Sequence, residues 1–234
     1  MRVGIMQPYF LPYIGYFQLM AAVDKFVLLD DVNFINRGWI NRNRIAVRGQ
    51  PSWLTVPLSG ASQNRLIREI DIAPDDGWVL KMLRTVVAAY AKAPEADSVI
   101  PVFESWLSKA AGNLADFLLL TLSETAARLG IKTEILPTSS IFSKNGHKGQ
   151  ERILDICRHL GASSYINPPG GRELYETGLF RGARVELSFL RPNLGAVCLE
   201  GTPEDASLSI LHILMHKSQK DAAQAAHSFD LDLA

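Results

Sequence analysis

Cysteine is scarce in this sequence. Only Cys157 and Cys198 occur, and they form no C-x-x-C pair. That excludes a disulfide framework and points to a reducing compartment, the cytoplasm. Cys157 sits mid-helix on an apolar face, as a buried inert thiol does, and Cys198 reads the same way. A charge excess is also missing, since 24 basic and 24 acidic residues cancel. No global field draws the chain to nucleic acid or acidic lipid. No apolar run reaches about 18 residues, so no membrane insertion is expected. Pro8 and Pro12 interrupt the N-terminal apolar stretch too soon for a signal peptide. G-x-S-x-G is absent, which removes the elbow of Ser-His-Asp hydrolases. The exact P-loop spacing is absent too.

What is present is a layered pattern. A chain of 234 residues holds a full core, burying roughly 70–75% of its unfolded surface. Val3 to Met6 and Phe26 to Leu29 are short apolar runs, with an apolar helix pattern between them. Ile14, Phe17 and Ala21 share one face of it, and Tyr13, Tyr16 and Met20 the next. This is one βαβ unit with polar residues at its strand ends. Residues 44–47 and 52–58 read as a hairpin, and 69–72 as a short strand. Three amphipathic patterns make a helical lobe over 75–130, the last opening on Asn113 and stopping at Gly130. A strand at 131–136, a helix carrying Ile153 and Cys157, strands ending at Asn167 and Leu190, and a last helix at 207–217 complete the chain. Residues 127–136 and 158–166 repeat one phrase: helix, Leu-Gly stop, strand. Gly supplies the left-handed cap there. The expected fold is one α/β domain over 1–234, a mainly parallel Rossmann-like sheet with helices on both faces, a hairpin excursion and the helical lobe.

Ligands of open parallel sheets bind beyond the carboxyl ends of the strands. Three segments fall there. In the first, Gln7 is a polar group at the strand end, Tyr9, Tyr13 and Tyr16 offer aromatic faces for a sugar or base, and Gly15 lets a ligand approach the backbone between them. Asp30 and Asp31, ending the second run, are acid–base candidates. The run that follows interleaves Arg37, Arg42, Arg44 and Arg48 with Trp39, Asn41 and Asn43. Forked guanidinium groups beside amides match phosphate or carboxylate oxygens. A solvated basic loop is the plainer account. With no larger basic face behind it, the run suits a small anionic molecule and not nucleic acid. The second segment, 137–152, is a Gly-bearing loop entering a helix, with Lys144, Lys148 and the acid–base candidate His147. The third, Asn167-Pro-Pro-Gly170-Gly171-Arg172, is a rigid turn of close backbone approach. His212 and His216 stand i, i+4, which suits zinc. The Glu that should follow the first is missing and no third ligand is near, so no metal is expected.

These residues also resemble a known family. Ile5-Met-Gln-Pro-Tyr-Phe-Leu-Pro-Tyr-Ile-Gly-Tyr-Phe-Gln18-Leu, Asp24-Lys-Phe-Val, Asp30-Asp31-Val and Arg37-Gly-Trp-Ile-Asn-Arg-Asn-Arg-Ile are similar to the WbqC-like family. Lys148-Gly-x-Glu151, Ile-Leu-Asp-Ile-Cys-x-x-Leu-Gly-Ala, Pro-Gly-Gly-Arg and Leu208-Ser-Ile-Leu extend the resemblance over nearly the whole chain. Members of that family occur with genes for O-antigen and other surface polysaccharides. The resemblance implies a cytoplasmic enzyme modifying a sugar, in its nucleotide-activated form, and adds Gln18 and Glu151 to the site. The chain departs from the family at His212, where an Asp is usual, and at 190–195, which lacks the family's His and Gln. A remoter likeness is to nucleotide-binding enzymes of the pantothenate synthetase type, whose His-x-Gly-His is replaced here by Tyr13-Ile-Gly-Tyr16.

The functional expectation is a transferase acting on an amino sugar or sugar nucleotide, moving an acyl or aminoacyl group to an amine. The cofactor is unknown, with an activated acyl donor or a nucleotide as the choices. A non-catalytic nucleotide-sugar binding or assembly protein, and an ATP-dependent ligase, are the alternatives. The ligand should be small and negatively charged, held where the separate polar segments converge.

Overall fold

The computed structural model describes residues 1–196 and 207–234; Cys198 lies outside them. The first apolar runs form strands β1 (Arg2–Met6) and β2 (Lys25–Leu28), joined by helix α1 (Ile14–Ala21). After β2 comes the hairpin, β3 (Arg42–Val47) and β4 (Gln50–Thr55), then a two-residue pair, β5 (Leu58–Ser59) with β6 (Asp71–Ile72). Helices α2 (Trp78–Tyr90), α3 (Ala96–Leu107) and α4 (Leu114–Arg128) follow. The chain re-enters the sheet as β7 (Glu134–Leu136), crosses through α5 (Gly149–Leu160) to β8 (Ser164–Asn167), and continues through α6 (Thr177–Gly182) to β9 (Glu186–Pro192). Two helices, α7 (Ile210–His216) and α8 (Gln219–Ala226), precede the final strand β10 (Phe229–Leu233).

The main sheet has the order β10-β9-β8-β1-β2-β7. Five strands are parallel and β10 is antiparallel to β9. The order reverses at β1. From there the chain builds outward to β2 and β7, then crosses back to β8 and β9 on the other side. Alternation along the strands sends side chains to both faces. Val3, Ile5, Val27, Tyr165, Leu187 and Phe189 pack with Ile153, Ile156 and Cys157 of α5 and Phe180 of α6. Phe26, Leu28, Ile166 and Leu190 face the other way, into a core shared with α1, α7, α8 and the three middle helices. Helices on both faces of a mostly parallel sheet are what the sequence pattern calls for.

Both Leu-Gly stops form as expected. Gly130 (φ 69°) and Gly161 (φ 65°) hold the left-handed conformation that closes α4 and α5. Asn113 caps α4 by accepting from Ala115 N at 2.9 Å. Several boundaries differ. The strand expected at 131–136 pairs only from Glu134. Residues 67–69 make a 3₁₀ turn, leaving two strand residues after it. The strand expected to run to Leu58 ends at Thr55, before Pro57, which has no N–H for a ladder. Gly170 and Gly171 lie in a 3₁₀ turn, Pro169–Leu174, and α6 opens later at Thr177. The helix at 207–217 is not the last element; α8 and the edge strand β10 follow, and β10's alternation of Leu with Asp is too short to stand out in sequence. Among the described residues no helix is long and apolar enough to cross a membrane.

Cys157 is fully buried and burial pushes its thiol up to about 12. In native protein at pH 8, a thiol-specific reagent should leave Cys157 unmodified, as read by peptide mass mapping. Rapid labelling there would show that α5 does not pack as described.

Candidate functional site

The turn after β1 is tied to the start of the hairpin by one buried side chain. Period-2 alternation along β3 points Arg42 and Arg44 to one face and Asn43 to the other. Asn43 is 3% exposed and its Nδ2 donates to the carbonyls of Phe10 (3.1 Å) and Leu11 (2.9 Å). Leu11 has φ 43°, a left-handed conformation unusual for a side chain of its size, and the amide clamps the carbonyls on both sides of that torsion. Phe10 N adds a bond to Ile40 O at 3.0 Å. The tyrosine-rich turn and the arginine-rich strand are thereby one unit.

That unit closes one side of a cleft of about 580 Å3. Met6 at the end of β1, Tyr9, Tyr13 and Tyr16 line it, together with Trp39, Asn43 and Arg44. Pro168, Pro169 and Gly170, just past β8, complete the lining from that strand's end. The cleft therefore opens between the carboxyl ends of β1 and β8, the point where the strand order reverses and where open α/β sheets bind ligands. Its volume suits a small molecule. Burial pushes the phenols of Tyr9, Tyr13 and Tyr16 up, so they stay protonated and serve as apolar faces and hydrogen-bond donors. Tyr16 donates to Gln7 O at 2.9 Å. Above the cleft, Trp39 and Trp53 lie 5.4 Å apart with Arg42 over Trp53 (4.1 Å) and Arg44 over Trp39 (5.4 Å). From Val32 to Arg68 the chain holds Arg37, Arg42, Arg44, Arg48, Arg65 and Arg68, without one Asp, Glu or Lys. Arg44 Nη2 donates to Ser207 Oγ at 3.3 Å, while its Nε is buried and unpartnered among the described residues.

A second cleft, of about 560 Å3, opens beside the ends of β2 and α5. Asp31, Lys144, His147, Lys148, Arg152, Leu174 and Tyr175 line it. The 3₁₀ turn from Pro169 is a shared wall, giving Gly170 to the first cleft and Leu174 to the second. Arg152 organises this side. Buried to 3% exposure, it donates to Asp31 Oδ2 (3.0 Å), Ser139 O (2.9 Å), Phe142 O (3.0 Å) and Ser143 O (2.7 Å). Ser139 donates to Asp31, and Lys144 to the Asp31 carbonyl. His147 Nδ1 pairs with the Asp155 carboxylate, which also takes Arg158 at 3.2 Å. Burial pushes the Asp155 carboxyl up, but His147 and Arg158 outweigh it and hold it below the usual carboxylate range.

The expected residues thus divide. Tyr9, Tyr13, Tyr16, Trp39, Asn43, Arg44 and Gly170 meet at the first cleft; Asp31, His147 and Lys148 meet at the second. The others line neither. Asp30 is buried and occupied, its Oδ1 accepting from Thr138 Oγ1 (2.7 Å), Ser139 N (3.0 Å) and Ser139 Oγ (3.2 Å). Asp30, expected as an acid–base candidate, joins β2 to the loop after β7. The space beside Gly15 is filled by the Tyr13 ring, not left open for a ligand. Gln18 is fully buried and donates to Ala225 O and Ser228 O, tying α1 to the end of α8. Asn41 donates to Val56 O at 2.8 Å. Arg42 donates from Nε to Gly38 O and from Nη2 to Arg37 O. Arg172 reaches Asp232 (3.4 Å) and stacks on Phe189, while Glu151 is exposed in the first turn of α5. Asn167 accepts from Tyr165 Oη, and its amide lies where a side chain at residue 171 would be, which is why Gly171 is glycine. His212 Nδ1 contacts Tyr90 Oη at 3.0 Å, and His216 Nδ1 the carbonyl of His212. Among the described residues no three His, Cys, Asp or Glu side chains cluster as a metal site. Sequence reasoning missed Ser139, Arg152, Trp53 and Asp155. Arg152 and Asp155 sit on a helix face that otherwise reads as ordinary solvated charge.

A model of the WbqC-like protein family matches residues 7–224, spanning both clefts. The chain belongs to that family. Rv1507c of Mycobacterium tuberculosis, described as an uncharacterized protein, is 29% identical over 193 residues, covering 80% of this chain and 81% of its own. No solved structure matches the chain. Within this WbqC-like chain the long N-terminal motif supplies most of the first cleft.

Removing the Arg152 guanidinium takes from the buried Asp31 carboxylate its one buried cation among the described residues, leaving Ser139 and the part-exposed Lys144. Arg152→Ala should lower unfolding free energy by about 3–5 kcal/mol in urea titration. A loss below about 1 kcal/mol, the scale of an exposed pair, would refute Arg152 as the fastener of the 138–147 loop.

Proposed function

We propose that the first cleft binds a nucleotide-activated sugar, an amino sugar being the favoured class, and that the protein modifies it. The observation that carries this reading is the position of the cleft at the strand-order reversal, with aromatic faces and Arg44 together in its lining. Tyr9 and Tyr13 offer flat apolar surface to a sugar ring or base. Arg44, on a stretch without acidic residues, offers charge to a diphosphate. Surface-polysaccharide biosynthesis and acyl or aminoacyl transfer in the cytoplasm are the context and reaction that fit such a ligand.

A second reading follows from one specific feature. The described residues lining the first cleft include no carboxylate and no histidine, as in a protein that binds the sugar nucleotide without turning it over. Mass spectrometry of the ligand after incubation with acyl donors separates the two.

Calorimetry with uridine- and thymidine-diphosphate amino sugars tests the ligand class. Binding in the micromolar range is expected, weakened roughly tenfold or more by Arg44→Ala, the scale of a lost charge-assisted hydrogen bond. Arg42→Ala, away from the cleft wall, should weaken it far less. If no nucleotide sugar binds, or Arg44→Ala leaves affinity unchanged, the assignment is wrong.

A further inference from the structure

We propose that the second cleft is a general-base site, in which His147 removes a proton from a hydroxyl or amine of a small anionic molecule and Asp155 is its positioning residue. Three observations converge. First, His147 lines the cleft, is partly exposed, and commits Nδ1 to the Asp155 carboxylate. A carboxylate on Nδ1 fixes that nitrogen as the protonated one and leaves Nε2, the ring's other nitrogen, as a base. Second, Asp155 is buried, so its charge opposes the imidazolium in a poorly screened setting. Third, the loop does not need this contact to hold its shape. Arg152 already bonds the carbonyls of Ser139, Phe142 and Ser143. The other described histidines near helix ends make a different contact: Nδ1 of His159, His216 and His227 meets the carbonyl four residues back. Among these four, only His147 carries a carboxylate.

The lining defines the ligand. Leu29, Val32 and Leu174 provide apolar walls. Lys144 is held by Asp31, whereas the Lys148 ammonium has no ion pair or hydrogen bond among the described residues and is available to a carboxylate or phosphate. In the step, the acceptor's proton moves to Nε2 and its electron pair stays on the acceptor oxygen or nitrogen. The imidazolium so formed is neutralised by Asp155, which remains ionised. The inference does not depend on what fills the first cleft.

The test uses the intact protein and no nucleotide sugar. Long-range 15N–1H spectra should show neutral His147 protonated at Nδ1 and bare at Nε2. Diethyl pyrocarbonate should label His147 several-fold faster than His227, by peptide mass mapping. Asp155→Asn should remove that advantage and disturb the tautomer. Arg158→Ala, which takes away the other partner of Asp155, should leave both unchanged and guards against a general loss of fold. Inorganic phosphate should slow labelling of His147, and Lys148→Ala should abolish the protection. A His147 protonated at Nε2, labelling no faster than at His227, or indifference to Asp155→Asn would each overturn the proposal. So would phosphate without effect, for the anionic ligand.

Discussion

The amide of Asn43 decides where the recognition groups of this protein stand. One side chain, buried and bonded to two successive carbonyls, joins the turn after β1 to the strand that carries the arginines. A buried amide hydrogen bond contributes only about 1 kcal/mol in net terms, but leaving its partners unmade costs more. The carbonyls of Phe10 and Leu11 flank a left-handed torsion at Leu11 and have no ladder to turn to. The strain at Leu11 and the placement of Tyr9 and Tyr13 therefore depend on a residue some thirty positions later. Tyrosine face and guanidinium charge arrive at one cleft because of that bond, not because the sheet requires it.

The sheet contributes the other half. Reversal of strand order at β1 puts the first cleft above the β1 and β8 ends. The turn from Pro168 closes its far side, and Gly171 lets that turn lie directly on the Asn167 amide. The same turn then walls the second cleft. Two sites of contrasting chemistry, one aromatic and one ionic, share a partition a few residues thick.

The fold was largely legible because its signals are local. Apolar runs of strand length, the 3.6-residue stripes and the two Leu-Gly stops each state their element within ten residues. The boundaries that shifted, at Glu134, Thr55 and Thr177, are places where pairing partners and not propensity decide. The site was legible in residue type and less so in role. Asp30, Gln18 and Arg42 carry the chemistry expected of a binding site, yet Asp30 and Gln18 are taken up by groups from distant elements and Arg42 by carbonyls of its own preceding loop. Sequence cannot show that Thr138 and Ser139 will saturate Asp30, nor that the Tyr13 ring will occupy the space beside Gly15. Arg152 is the converse. It reads as one more charge on a polar helix and becomes the centre of a buried network, because Asp31 lies under α5 only once β7 has paired with β2.

The positive stretch around the hairpin has a consequence of its own. Its charge comes from arginine alone, and a guanidinium keeps its protons at any acidity a cell reaches. A shift of the surrounding pH therefore leaves the positive charge of this rim intact. Dissolved salt does not, because exposed charges are screened over about 8 Å at physiological ionic strength. The field on this side of the molecule answers to ionic strength and counter-ions, and its arginine charge does not change with pH.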